Sequence, residues 1–66
     1  MITNKFSIYD LRRHDEPITI DTFTANSAMK EVFHYSKFQC VEPYERYNIL
    51  VINEDTEEKT YFQLIQ

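Results

Sequence analysis

The chain has 66 residues, enough for one hydrophobic core, so we expect residues 1–66 to form a single domain. It contains no glycine, which excludes the P-loop and the dinucleotide-binding fingerprint, because both need glycine where the backbone approaches phosphate. The formal net charge of −4 disfavours direct nucleic-acid binding. No apolar run approaches the roughly 18 residues that span a bilayer, so we expect no membrane partner.

The negative charge lies in the C-terminal part of the chain. Residues 1–39 contain five basic and five acidic residues, whereas residues 40–66 contain two basic and six acidic ones. A surface with this excess repels phosphate and attracts positively charged proteins. We therefore expect a basic partner protein.

Two strands are predicted in the N-terminal part. Residues 5–11 are rich in β-branched and aromatic side chains, which favour a strand. The polar stretch that follows is a turn ending at Pro17, which cannot donate a hydrogen bond to a ladder. Residues 18–24 alternate in type, with Ile18 and Ile20 on one face, as in a half-buried strand.

A helix of about three turns is predicted next. Asn26 or Ser27 is a suitable N-cap, and Lys37 suits the negative end of the helix dipole. Spacings of three and four residues indicate one buried face, formed by Ala28, Met29, Val32, Phe33 and Ser36.

The C-terminal part predicts a hairpin. Residues 46–52 have the strongest strand pattern, and their unbroken apolar run indicates that the helix covers one face and a second subunit the other. An acidic turn at residues 53–58 leads to a last strand at residues 60–65. Without glycine, we expect hairpin loops longer than two residues. The predicted fold is α+β, β-β-α-β-β, with an antiparallel sheet of about four strands packed against one helix.

Among the ten aromatic residues, two groups are informative. The first group fits the core faces of the predicted elements and consists of Phe6, Phe23, Phe33 and Phe62. Tyr44 and Tyr47 instead flank Glu45 and Arg46 before the central strand. Exposed tyrosines are common in protein interfaces, so both are candidate partner-binding residues. The alternative is a ring in the core with its hydroxyl in water.

Six acidic residues complete the candidate partner-binding site. A functional interpretation joins them into one negative surface that imitates the phosphates of DNA and occupies the basic groove of a DNA-binding protein. The alternative is a solubilising loop whose charges keep the apolar strand from aggregating. The six are Glu42, Glu45, Glu54, Asp55, Glu57 and Glu58.

Few combinations of residues suggest catalysis or cofactor binding. Cys40 and His34 are close enough in sequence to form a zinc pair or a nucleophile and its base, but we favour a small buried cysteine beside a surface histidine. The carboxylate pairs at residues 15–16 and 57–58 lie in predicted turns, where water screens them. We expect no catalytic residue, metal ligand or cofactor. A lone cysteine cannot form an internal disulfide and is typical of a cytoplasmic protein.

The chain resembles the small early proteins of lytic bacteriophages. The likeness is in its size, its lack of glycine, its many Asn, Lys, Ile, Tyr, Phe and Glu residues, and its acidic segment from Glu42 to Glu58. Proteins of this kind commonly bind and disable one host protein, and the acidic ones include DNA mimics that block the histone-like nucleoid protein HU. The resemblance therefore implies an inhibitor that acts in the cytoplasm of the host cell.

Together, these features predict a homodimeric, non-enzymatic inhibitor that engages a basic DNA-binding host protein. The alternative is a structural or assembly subunit that pairs its C-terminal hairpin with another sheet. A third possibility is a small metal or thiol enzyme that uses Cys40 and His34.

Overall fold

Five strands and one helix form the fold of this computed structural model, which describes residues 2–34 and 36–65. The strands form one antiparallel sheet in the order β2-β1-β4-β5-β3, and the helix lies on one face. The predicted α+β class is confirmed, with five strands in place of about four. The elements are β1 (Asn4–Asp10), β2 (Ile18–Thr22), α1 (Ala25–Val32), β3 (Lys37–Val41), β4 (Ile49–Asn53) and β5 (Lys59–Ile65).

The core lies between the helix and the sheet. Ala28 and Met29 on α1 are fully buried, and alternate residues of the strands face them. Burying a large apolar side chain contributes roughly 1.5–3 kcal/mol, so this single layer accounts for most of the hydrophobic stabilisation. The buried strand residues are Phe6, Ile8, Ile49, Val51, Phe62 and Leu64.

The helix is shorter than predicted and begins earlier. Thr24, rather than Asn26 or Ser27, is the N-cap, and its hydroxyl accepts a hydrogen bond from the backbone N–H of Ser27 at 3.0 Å. The helix ends after eight residues, where the Phe33 N–H donates to the carbonyl of Met29. The predicted helical residue Tyr35 lies outside the described residues.

Residues 37–41 form a strand, which corrects the prediction that they end the helix and begin a linker. Lys37 is the first residue of β3, and the residue in the last helical turn that suits the dipole is Lys30. In β3 the side chains alternate, so Phe38 points towards the core and its ring makes an edge contact with Phe62 at 5.7 Å. From Lys37 onwards, side chains therefore point alternately to the two faces of the sheet, with the period of two residues of a strand instead of the helical period.

Phe23, which was assigned to the core, and Ile18, which was predicted on the buried face of its strand, are instead half exposed. Phe23 follows the end of β2 and is 49% exposed, because it lies in the bend before the helix rather than in a strand. Ile18 is also 49% exposed, since the edge strand β2 begins there. The hairpin loops have seven and five residues, as the lack of glycine predicts.

The last strand in the sequence lies inside the sheet. β5 has β4 on one side and β3 on the other, and both are antiparallel to it. β3 and β4 therefore run in the same direction, and the segment 42–48 that joins them crosses β5. The free edges of the sheet belong to β2 and β3.

Candidate functional site

Topology brings the six acidic candidate residues to one end of the sheet. β4 ends beside the first residue of β5, and β3 ends on the other side of β5, beside its third residue, Tyr61. Residues 42–45 follow β3 and residues 54–58 follow β4, so the two acidic segments are separated by two strand spacings, about 10 Å, and by a further offset of about two residues, roughly 7 Å, along the strands. We call the exposed residues Glu42, Glu45, Glu54, Asp55, Glu57 and Glu58 the acidic end.

The β4–β5 turn is shaped by Asn53 and by the backbone. The Asn53 side chain is buried, and its Oδ1 accepts hydrogen bonds from the N–H groups of Asp55 at 2.9 Å and Thr56 at 3.2 Å. The Asn53 carbonyl accepts from the N–H of Glu57, which has a φ of 65°. A residue with a Cβ is unfavourable in this left-handed region, so the turn stores strain where glycine would be relaxed.

The first strand also holds this turn. The N–H of Glu54 donates to the carbonyl of Lys5 at 2.7 Å, and the Lys5 N–H donates to Oδ2 of Asp55 at 2.9 Å. Sequence analysis identified the acidic residues but missed Lys5 and the structural importance of Asn53. No local pattern connects Lys5 with a turn some fifty residues later, so only the tertiary pairing of β1 with β4 shows it.

The second acidic segment is a tight turn. The N–H of Glu45 donates to the carbonyl of Glu42, and Oε1 of Glu45 accepts from the Glu42 N–H, both at 2.9 Å. Tyr44 lies within this turn and is 86% exposed. The turn therefore presents one tyrosine and two carboxylates to solvent.

Tyr47 occupies a different position from Tyr44. Its ring packs against that of Tyr61 with centroids 4.7 Å apart, and 38% of the residue is exposed. Strand alternation places Tyr61 on the sheet face opposite the helix, so Tyr47 lies over that face rather than in the acidic turn. Of the two candidate tyrosines, only Tyr44 lies among the acidic residues.

Ion pairs among the described residues occur only near the β1–β2 loop. Arg12 contacts Asp10 at 2.8 Å, and Arg13 contacts Asp15 at 3.6 Å. The hydrogen bonds from Arg12 lower the pKa of the Asp10 carboxyl. In the part of the chain that the structure describes, none of the six carboxylates of the acidic end forms an ion pair.

Cys40 is a free and exposed thiol on β3, so the prediction that it is buried is wrong. It is exposed because β3 is an edge strand and the helix contacts only β1, β2 and β4 closely. Among residues 2–34 and 36–65, no three His, Cys, Asp or Glu residues cluster as metal ligands would. No helix described here is long and apolar enough to cross a membrane.

A cavity of about 190 Å³ lies near the other end of the sheet. It is formed between the β1–β2 loop and the end of α1, and sequence analysis did not predict it. Its base is apolar, and two of the acidic side chains at its rim, Asp10 and Asp15, already pair with arginine. The lining residues are Ile8, Asp10, Arg13, Asp15, Glu16, Ile18 and Phe33.

Comparison with protein-family models, curated proteins and solved structures finds no match to this chain. The geometry of the acidic end is therefore the basis for a functional proposal.

Proposed function

We propose that this chain is a non-enzymatic binding protein that engages a basic DNA-binding protein through its acidic end. The observation that supports this function is the convergence of six exposed carboxylates at one end of the sheet, with no ion pair among the described residues. Unpaired, exposed carboxylates are available to arginine and lysine side chains of a partner.

The number of charges at the acidic end matches that of a short segment of DNA. B-DNA has one phosphate charge per roughly 1.7 Å, so about 10 Å of duplex contains about six charges. The acidic end has six carboxylates, spread over a greater width because its two segments are also offset along the strands. Arg46 and Lys59, next to the two segments, lower the net charge from −6 to −4. A basic groove that accepts three base pairs would therefore find the same number of anionic acceptors here, at a lower density.

The resemblance to early phage proteins supplies the biological setting of the proposal. In that setting the chain is an inhibitor in the host cytoplasm, and the nucleoid protein HU is a suitable target because its groove binds DNA phosphates. Tyr44 adds a rigid aromatic contact beside Glu42 and Glu45. Tyr47 packs against Tyr61 over the sheet face opposite the helix, so it lies outside this contact.

The test is a measurement of HU binding as salt is raised, with the chain and with a variant of its acidic turn. The variant has Glu54→Gln, Asp55→Asn, Glu57→Gln and Glu58→Gln. We expect its affinity to fall about tenfold or more, because four favourable charge contacts of a few tenths of a kcal/mol each are lost. Wild-type affinity should also fall steeply with salt.

The matched control removes four carboxylates elsewhere: Asp15→Asn, Glu16→Gln, Asp21→Asn and Glu31→Gln. All four residues are exposed, and the change in net charge is the same. This control should retain most of the affinity. Equal losses in the two variants would show that overall charge, and not the acidic end, determines binding.

The second candidate function is that of an assembly subunit that pairs sheet edges. The observation in its favour is that β2 and β3 leave both edges of the sheet open. The C-terminal hairpin cannot supply the pairing strand, since β4 and β5 lie inside the sheet. Pairing must therefore use β2 or β3.

A further inference from the structure

The outer edge of β3 exposes a short row of backbone groups. In a strand, the N–H and C=O of successive residues point alternately to the two neighbouring strands. The Phe62 carbonyl accepts from the Asn48 N–H, and the Leu64 N–H donates to Oδ1 of Asn48, so both residues point to the β4 side. Gln63 between them therefore points to β3.

This alternation fixes the direction of each residue in β3. Gln39 is opposite Gln63, so its backbone groups point to β5. The groups of Phe38 and Cys40 then point outwards, away from the sheet. Within the described residues, no hydrogen bond is made by these two N–H and two C=O groups.

Both ends of this row are closed by local hydrogen bonds. The Ser36 N–H donates to the carbonyl of Phe33 at 2.9 Å. At the other end, the Glu42 N–H donates to Oε1 of Glu45, and the Glu42 carbonyl accepts from the Glu45 N–H. The edge therefore offers a window of four groups centred on Gln39.

We propose that a second copy of the chain pairs with this window, with β3 antiparallel to β3 and a two-fold axis at Gln39. In this register Phe38 lies opposite Cys40 of the partner subunit, and Cys40 lies opposite Phe38 of the partner subunit. Each of these pairs exchanges two hydrogen bonds. All four groups of each copy are satisfied, so the window is complementary to itself, and the product is a continuous ten-stranded sheet.

The side chains at this edge match the same register. On the helix side, Phe38 meets the partner's Cys40, which extends the contact between Phe38 and Phe62 across the axis. On the opposite face, Gln39 already donates to Gln63 at 3.0 Å, and it would lie beside the partner's Gln39. Polar contacts would thus continue from one sheet to the other.

Charge favours the antiparallel arrangement. In it Lys37 lies opposite the uncharged Val41 of the partner subunit, so no like charges are directly opposite each other. Like charges would meet in the parallel arrangement, where Lys37 would lie beside the partner's Lys37.

The other edge of the sheet also has outward backbone groups, at Thr19 and Asp21, but it is less suited to pairing. β2 follows Pro17, which has no N–H and so interrupts the row, and Asp21 lies in a strand with no lysine or arginine. The second copy is therefore assigned to β3 and not to β2.

This pairing is independent of the proposed function. Because the two β3 strands are antiparallel, the acidic ends of the two copies lie at opposite ends of the dimer. The dimer presents two separate acidic surfaces, and each one is complete within a single copy. Loss of the dimer and loss of partner binding can thus be measured separately.

The first experiment is cross-linking through Gln39→Cys in a Cys40→Ser background. Directly opposite residues that do not exchange hydrogen bonds have Cα atoms about 4.5 Å apart, which suits a disulfide. Mild oxidation should convert most of this variant into a covalent dimer. The matched control is Lys37→Cys with Cys40→Ser, whose two thiols would lie about 14 Å apart along the strands. Equal cross-linking of the two variants would overturn the proposal.

The second experiment measures the mass of the chain in solution as a function of concentration. Cys40→Pro removes an outward N–H, so the monomer should fold normally but the dimer should weaken at least tenfold. Gln39→Pro removes an N–H that pairs with β5, so this variant should lose stability instead. Wild-type chain that stays monomeric at all concentrations, or a Cys40→Pro variant that dimerises as wild type, would contradict the proposal. A monomeric Cys40→Pro variant should still bind HU if the proposed function is correct.

Discussion

The two hairpin loops of the molecule use their charged residues in different ways. In the β1–β2 loop, the side chains of Arg12 and Arg13 bind Asp10 and Asp15, so the cations and anions neutralise one another locally. In the β4–β5 turn, the shape is fixed by the neutral side chain of Asn53 and by backbone hydrogen bonds. Asp55 also accepts a hydrogen bond from the Lys5 N–H, whereas the carboxylates of Glu54, Glu57 and Glu58 accept none within the described residues and are left to solvent or to a partner.

Exposed charge is available for binding only where something else determines the local structure. Ion pairs at a surface contribute little to stability, and the charges within them are no longer available to a binding partner. A buried asparagine that accepts two backbone hydrogen bonds does the same structural work without using charge. Three substitutions test this difference between the loops.

The largest effect is expected from Asn53→Ala. The substitution removes the acceptor for the N–H groups of Asp55 and Thr56 and leaves a gap at a buried position. We expect a loss of about 2 kcal/mol in the free energy of unfolding, measured by urea denaturation. Asn26→Ala, at an exposed helix position, is the control and should cause no loss. Equal stability of Asn53→Ala and wild type would mean that the turn does not depend on Asn53.

A smaller and opposite effect is expected from Glu57→Gly. The positive φ of Glu57 is unfavourable for a residue with a Cβ and normal for glycine. After the entropy cost of glycine is subtracted, we expect stabilisation of about 0.5–1 kcal/mol, measured as a higher urea midpoint. Glu58→Gly removes the same charge one residue later and should not stabilise. A gain in both variants would assign the effect to charge rather than to backbone strain.

The smallest effect is expected from Asp10→Asn in the β1–β2 loop. Hydrogen bonds from Arg12 lower the pKa of Asp10 in the folded state, so the ionised carboxylate stabilises the fold above its unfolded pKa. That contribution, about 0.5 kcal/mol for a surface pair, should vanish as the pH falls through the folded pKa. Unfolding measured at neutral pH should separate wild type from Asp10→Asn, and measurements well below pH 4 should not. A difference that persists in acid would exclude the ion pair as its source.

Local patterns predicted four of the five strands and the buried helix residues Ala28 and Met29, whereas Ser36, predicted on the same face, lies outside the helix. The alternation at Ile18 to Ile20 and the apolar run before Asn53 are strong signals because they extend over several residues. β3 was missed because its period-two pattern covers five residues and follows a helical pattern without a glycine or proline to separate them. Its strand pairing with β5 comes from residues more than twenty positions away.

The candidate site was only partly predictable for the same reason. Composition identifies the six acidic residues, but their convergence depends on β5 lying between β3 and β4. The different surroundings of Tyr44 and Tyr47 depend on how the segment 42–48 crosses β5. Strand order is decided by tertiary contacts, so no local pattern in the chain encodes it.

The position of β5 also has a consequence for how the protein folds. β3 and β4 touch β5 but not each other, so the sheet cannot close until residues 59–65 insert between them. β1 likewise waits for β4, which is distant in sequence. Contacts between residues that are distant in sequence slow folding, so we expect this chain to fold slowly for its length. The sheet should form in a single late step, when β5 pairs with β3 and β4. On the ribosome, the nascent chain should remain without a complete sheet until its last strand leaves the exit tunnel.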